Sequence, residues 1–154
     1  MPLDGLTLSF LSNELRDALV GGRIDRIVQP ERDELNLTIR NNGRNYLLLL
    51  SAGADCARAH LTAQKKIGPL EAPALCMLMR KHVTGGRISD IRQIDCDRIL
   101  EISIDHYDEL GERATKKLIC EFMGKHSNLI FLGGDGRIID SARRVNEAMS
   151  SVRE

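Results

Sequence analysis

The sequence has no tryptophan, and its other aromatics are two tyrosines and three phenylalanines. That scarcity excludes an aromatic sheet of the kind that stacks unpaired RNA bases. Any nucleic acid would be held through its backbone and shape. Net charge is also missing: 22 Lys and Arg balance 22 Asp and Glu, which argues against a wide basic footprint. The four cysteines (Cys56, Cys76, Cys96, Cys120) include no Cys-x-x-Cys pair, so a zinc ribbon and a thioredoxin-type motif are excluded. Single cysteines scattered through apolar segments fit the core of a reduced protein. No apolar run approaches the roughly 18 residues of a membrane span. Met1 to Gly5 has neither the basic nor the apolar stretch of a signal peptide. A cytoplasmic protein with no membrane partner is expected. His60, His82, His106 and His126 are dispersed, so no metal site and no cofactor are expected either.

What is present is a repeat. Gly-Gly-Arg-Ile occurs at Gly21 to Ile24 and again at Gly85 to Ile88. Before the first copy, Leu8, Leu11, Leu15 and Leu19 follow helical spacing; before the second, Leu75, Leu78, Met79, His82 and Val83 share a helical face opened by Pro73. Each Gly-Gly pair supplies a helix stop. Strands are expected at Ile24 to Gln29, ended by Pro30, then at Leu35 to Ile39 and Tyr46 to Leu50 around an Asn42-Gly43 hairpin turn. In the second half they are expected at Ile88 to Ile94, Leu100 to Ile104 and Leu118 to Phe122, with a turn at Glu109 to Glu112. Residues 51–71 read as a long connector. Leu129 to Leu132, a Gly133 to Gly136 turn and Ile138-Ile139 follow, then a helix carrying Val145, Met149 and Val152. That helix ends at Glu154 without a capping signal, as a fragment of a longer chain would.

One domain is expected over residues 1–154, of class α+β. It should have an antiparallel, β-sandwich-like core, flanking helices and two similar halves. At this length folding buries roughly 68–70% of the unfolded chain's surface, enough for a core.

Two polar constellations stand out. Asp97-Arg98 follows Asp95 at a turn between strands, where an exposed Arg on a rigid sheet rim could contact phosphate and Asp97 could orient its guanidinium. The basic set is rich in arginine, 16 against 6 lysines, and arginine is the residue suited to bidentate phosphate contact. Glu121 to Asn128 breaks two apolar strands around Gly124, and Lys125, His126, Ser127 and Asn128 gather donors that suit phosphate or sugar oxygens. Gly133-Gly134-Asp135-Gly136 lacks the Lys-Ser/Thr of a P-loop. No serine or cysteine nucleophile has a recognisable motif around it, and Pro2 offers a nucleophilic amine only after removal of Met1.

Met1 to Gly5, Pro73 to Ile88, Asp97-Arg98, Leu118 to Asn128 and Ile138 to Ser141, taken in order, resemble the N-terminal NFACT domain of the ribosome-quality-control family. Its members are called RqcH in bacteria and NEMF in animals, and the bacterial ones were long labelled fibronectin/fibrinogen-binding proteins. The resemblance covers the whole chain. It implies a non-enzymatic, RNA-interacting domain of a larger multidomain factor. Such a factor binds the large ribosomal subunit carrying peptidyl-tRNA and recruits alanyl-tRNA for C-terminal alanine tailing. It also implies partner domains in the same protein and a fold similar to the N-terminal domain of the formamidopyrimidine-DNA glycosylases. The family's Asp-Arg pair for tRNA falls on Asp97 and Arg98, with Lys125, His126 and Asn128 as further tRNA-binding candidates. Two alternatives stand beside it: an adhesin for fibronectin or fibrinogen, and a DNA glycosylase/lyase. The latter lacks a glutamate after Pro2, where Leu3 stands, and lacks a zinc finger.

Overall fold

The computed structural model describes residues 5–53, 58–62, 68, 72–94, 98–107, 110–122, 127–133 and 138–141, with side chains from residue 11 onward. Two helices, α1 (Gly5–Leu19) and α2 (Ala74–Val83), accompany nine strands. These are β1 (Arg23–Glu31), β2 (Glu34–Asn41), β3 (Arg44–Ser51), β4 (Arg58–Thr62), β5 (Arg87–Gln93), β6 (Ile99–Tyr107), β7 (Arg113–Glu121), β8 (Asn128–Leu132) and β9 (Ile138–Ser141). Every pairing is antiparallel. The expected α+β class is what these residues form. The strands make one nine-stranded sheet in the order β4-β3-β2-β1-β5-β6-β7-β8-β9, so the halves are joined edge to edge rather than being two separately paired sheets.

The joint is the repeated tetrapeptide itself. Ile24 N–H donates to Gly86 C=O at 2.9 Å, and Ile88 N–H donates to Gly22 C=O at 2.9 Å. Gly21 N–H reaches Ile88 C=O and Gly85 N–H reaches Ile24 C=O, both at 2.7 Å. Arg23 and Arg87 face each other as the single registered pair between β1 and β5. The bonds reciprocate about a local two-fold axis at that pair.

Glycine is required twice over at this joint. Gly21 and Gly85 have φ of +90° and +88°, a left-handed conformation that ends each helix without steric cost. Gly22 and Gly86 admit close approach instead. A Cβ on Gly22 would lie 2.7 Å from Ile39 Cγ2 and 2.9 Å from Leu19 O, and one on Gly86 would lie 3.0 Å from both Asp105 O and Val83 O. Each N–H at these second glycines closes the last turn, onto Leu19 O and Val83 O respectively.

The helices are exchanged between halves. Helix α1 packs on β5 as well as on β2 and β4, and α2 packs on β1 as well as on β6 and β9. Arg16 Nε of α1 donates to Ile91 C=O in β5 at 2.8 Å, and Arg80 Nε of α2 donates to Ile27 C=O in β1 at 2.9 Å. Arg16 and Arg80, like Ile27 and Ile91, are sixty-four positions apart, the offset of the repeat. One core therefore takes residues from both halves, including Leu15, Leu19, Ile27, Leu48, Met79, Ile91, Ile102 and Phe131. Full burial of each such side chain contributes about 1.5–3 kcal/mol.

Two expectations change in detail. Strand β1 runs through Pro30 to Glu31, with a register shift between Val28 and Glu31. Pro30 is tolerated because the irregular stretch asks no ladder N–H of it. The connector 51–71 contains β4, whose Arg58 to Thr62 pair with Ser51 to Leu47 of β3. The hairpin at Asn42-Gly43 is as expected, with φ of 51° and 78°. The helix around Val145 to Val152 lies outside the described residues, as do Gly134 to Gly136 of the β8–β9 turn, Cys56 and Cys96.

Candidate nucleic-acid interface

Arg98 stands where β5 turns into β6. Its C=O accepts the N–H of Phe122 at 2.9 Å, and Ile94 N–H donates to Ile99 C=O at 3.0 Å, so the corner's backbone is pinned at both ends. The Arg98 side chain is exposed and, among the described residues, has no partner. A fixed backbone under an exposed guanidinium is the arrangement a rim contact needs.

The same rim holds the break between β7 and β8. Ile99 pairs with Glu121, and Glu121 pairs with Asn128. The structure thus brings Arg98 and the flanks of the Lys125 to Asn128 cluster to one end of the sheet, although they are far apart in sequence. Asp97, Lys125 and His126 lie outside the described residues. Asn128 is placed differently from a ligand-facing donor: it is 1% exposed, and its Oδ1 accepts the N–H of Leu129 at 2.9 Å. Its amide serves the start of β8. Ser127 and Glu121 are buried beside it.

The first half offers an internal control. Asp33 C=O accepts Ala52 N–H at 2.7 Å, as Arg98 C=O accepts Phe122 N–H. Asp33 is therefore the positional equivalent of Arg98, with the opposite charge. The first corner is also tighter, since Glu31 pairs directly with Glu34 across Arg32 and Asp33.

The remaining reactive groups are quiet. Burial pushes the Cys120 thiol well above its ordinary value, helped by the neighbouring Glu121 charge. Burial also raises Cys76, opposed by Arg80. Both stay as neutral thiols, which are poor nucleophiles. Among the described residues no group of three His, Cys, Asp or Glu is placed to hold a metal ion, and no helix is long and apolar enough to cross a membrane.

Sequence reading did not find the cross-strand arginines at the joint. Arg23 pairs with Arg40 on one side and with Arg87 on the other. Their visible signal was the Arg common to both tetrapeptides.

Residues 4–154 match the family described as the NFACT N-terminal and middle domains. This chain belongs to that family. It is 40% identical to the Rqc2 homolog RqcH of Bacillus subtilis, over 99% of this chain and 27% of that protein. It is also 40% identical to the Rqc2 homolog RqcH of Streptococcus suis, over 99% of this chain and 28% of that protein. The solved N-terminal domain of fibronectin-binding protein PavA from Streptococcus pneumoniae superposes with a TM-score of 0.90 at 37% identity, covering 94% of this chain and 55% of that one. This NFACT chain spans about a quarter of the length of the curated relatives it matches.

Proposed function

We propose that this NFACT domain is a non-enzymatic, RNA-interacting part of a cytoplasmic ribosome-quality-control factor. In this reading the factor engages large ribosomal subunits that carry peptidyl-tRNA and recruits alanyl-tRNA for alanine tailing of the nascent chain. Arg98 contacts tRNA, Asp97 orients it, and Lys125 and His126 add weaker contacts. The observation that carries the reading is membership of a family whose RqcH relatives share 40% identity across this chain. The exposed, backbone-pinned Arg98 supports the residue assignment. The similarity in fold to formamidopyrimidine-DNA glycosylases belongs to the same reading, with a shared scaffold and no shared base chemistry.

The name of the PavA structure favours a second reading, a protein that binds fibronectin. One experiment separates the two. Full-length protein is tagged at its native locus, and cells are split into surface and ribosomal fractions. Cosedimentation with large subunits and tRNA is expected. Recovery on the cell surface, with retention on immobilised fibronectin and none on subunits, would replace the first reading with the second.

A further inference from the structure

At the joint between the halves, three arginines stand side by side. Arg40 of β2 pairs with Arg23 of β1, which pairs with Arg87 of β5. Directly opposed residues in an antiparallel ladder point to the same face. Here the bonds from Ile24 N–H to Gly86 O and from Ile88 N–H to Gly22 O flank the Arg23–Arg87 pair. That pattern makes it a non-hydrogen-bonded pair, the type in which opposed side chains come closest. The three arginines span about 10 Å, two strand spacings, and all are exposed on the face opposite the core.

Opposed like charges are unfavourable in a ladder, and this row is only partly neutralised from within. Arg23 Nε meets Asp25 Oδ1 at 2.8 Å, and Arg87 Nη1 donates to Gly21 C=O at 3.0 Å. Asp105, opposite Arg87, is committed to Arg113 at 2.8 Å and to Thr115 at 2.6 Å. Arg40 has no partner among the described residues. On a chain of zero net charge, a row of guanidiniums with outward donors complements a polyanion with regularly spaced charges.

We propose that Arg40, Arg23 and Arg87 form a second RNA contact, a row that holds the phosphodiester backbone. It rests on the RNA-binding reading above and adds to it a surface that reading does not contain. Asp105 lies seven residues along β6 from Arg98, about 23 Å in an extended strand. One continuous RNA could span both ends of the sheet, with Arg98 at one rim and the row at the other. Neither end stacks bases; both grip backbone.

The test is binding of fluorescein-labelled bulk tRNA to the full-length protein, followed by anisotropy across a salt series. R23A/R40A should weaken binding several-fold and lower the slope of log K against log salt by about two, one for each arginine–phosphate pair removed. R23K/R40K keeps the charges and should retain most of the affinity. R40A alone removes no internal bond among the described residues, so it reports on binding even if the double variant is less stable. Unchanged affinity and slope in R40A and R23A/R40A would overturn the row while leaving R98A free to weaken binding on its own account. Weaker binding by the row variants with no change in R98A would support the row and remove Arg98 from the site. Labelled polyglutamate serves as the competing probe. If the row variants no longer bind polyglutamate and still bind tRNA, the partner is an acidic peptide and the RNA assignment falls.

Discussion

The two halves of this domain share a backbone plan and differ in their charges. Arg16 and Arg80 clamp their helices to the opposite half with the same bond, onto Ile91 and Ile27. Gly22 and Gly86 close their helices with the same N–H, at 2.9 Å in both. The polar residues around this frame have diverged. Asp90 approaches Arg16 at 3.4 Å, while its equivalent sixty-four positions earlier is Arg26. Asp33 stands where Arg98 stands, and Arg40 stands where Asp105 stands. The duplicated part is what folding needs, because exchanged helices and a shared core fail if either half changes alone. The surface charges carry no such constraint, and there the halves could specialise.

The comparison is most easily broken in the core. Leu19 and Val83 are equivalent and fully buried. Leu19→Ala should cost about 2–5 kcal/mol. Val83→Ala should cost about 1 kcal/mol less, since it removes one methylene fewer. Urea unfolding of both variants checks the order, and a larger effect at Val83 would show that the halves do not bear load alike. Next comes the joint. Gly22→Ala should destabilise by about 2–3 kcal/mol and Gly86→Ala by about 1–2 kcal/mol, because the Gly22 Cβ would meet its neighbours at 2.7 Å and the Gly86 Cβ at 3.0 Å. Equal melting temperatures for the two would contradict the difference in clearance.

The functional half of the comparison is read at the corners. Arg98→Ala in the full-length protein should reduce tRNA affinity roughly tenfold, the scale of one charge-assisted contact, with unfolding unchanged. Asp33→Ala should leave tRNA affinity as it was. A matching decrease at Asp33, or none at Arg98, would end the assignment of function to the second corner.

The smallest effect concerns pH. Hydrogen bonds from Thr115, then from Arg113, hold the Asp105 carboxyl below the usual range. A carboxylate with a lowered folded pKa adds stability that is complete above its unfolded value of about 3.9. That stability is lost as pH falls through the lower folded value. Asp105→Asn should therefore lose a small stabilisation at neutral pH and converge with the parent as pH falls through the lower folded value, which leaves a flatter acid limb. Arg40→Ala, at the equivalent position, should leave that limb in place.

Much of this was legible in the sequence. The spacing of Leu11, Leu15 and Leu19 gave α1, the alternation in Leu35 to Ile39 gave β2, and Asn42-Gly43 gave the hairpin, because each signal lies within a few residues. The family was legible too, from motifs that keep their order. Strand β4 was not, since Arg58 to Thr62 is short and owes its strand to pairing with β3. The burial of Asn128 was not legible either, because an Asn in a polar break reads as a donor until the neighbouring strands enclose it.

By itself, the sequence determined most of the elements, the two helix stops and the duplication, since local periodicity and left-handed glycines depend on near neighbours. Only the tertiary structure decided that the two Gly-Gly-Arg-Ile copies bond to each other, that Asp33 answers Arg98, and that three arginines share one row. Those facts join residues many tens of positions apart. Their pairing follows from the shared core and exchanged helices, a balance of burial and register that no local stretch contains.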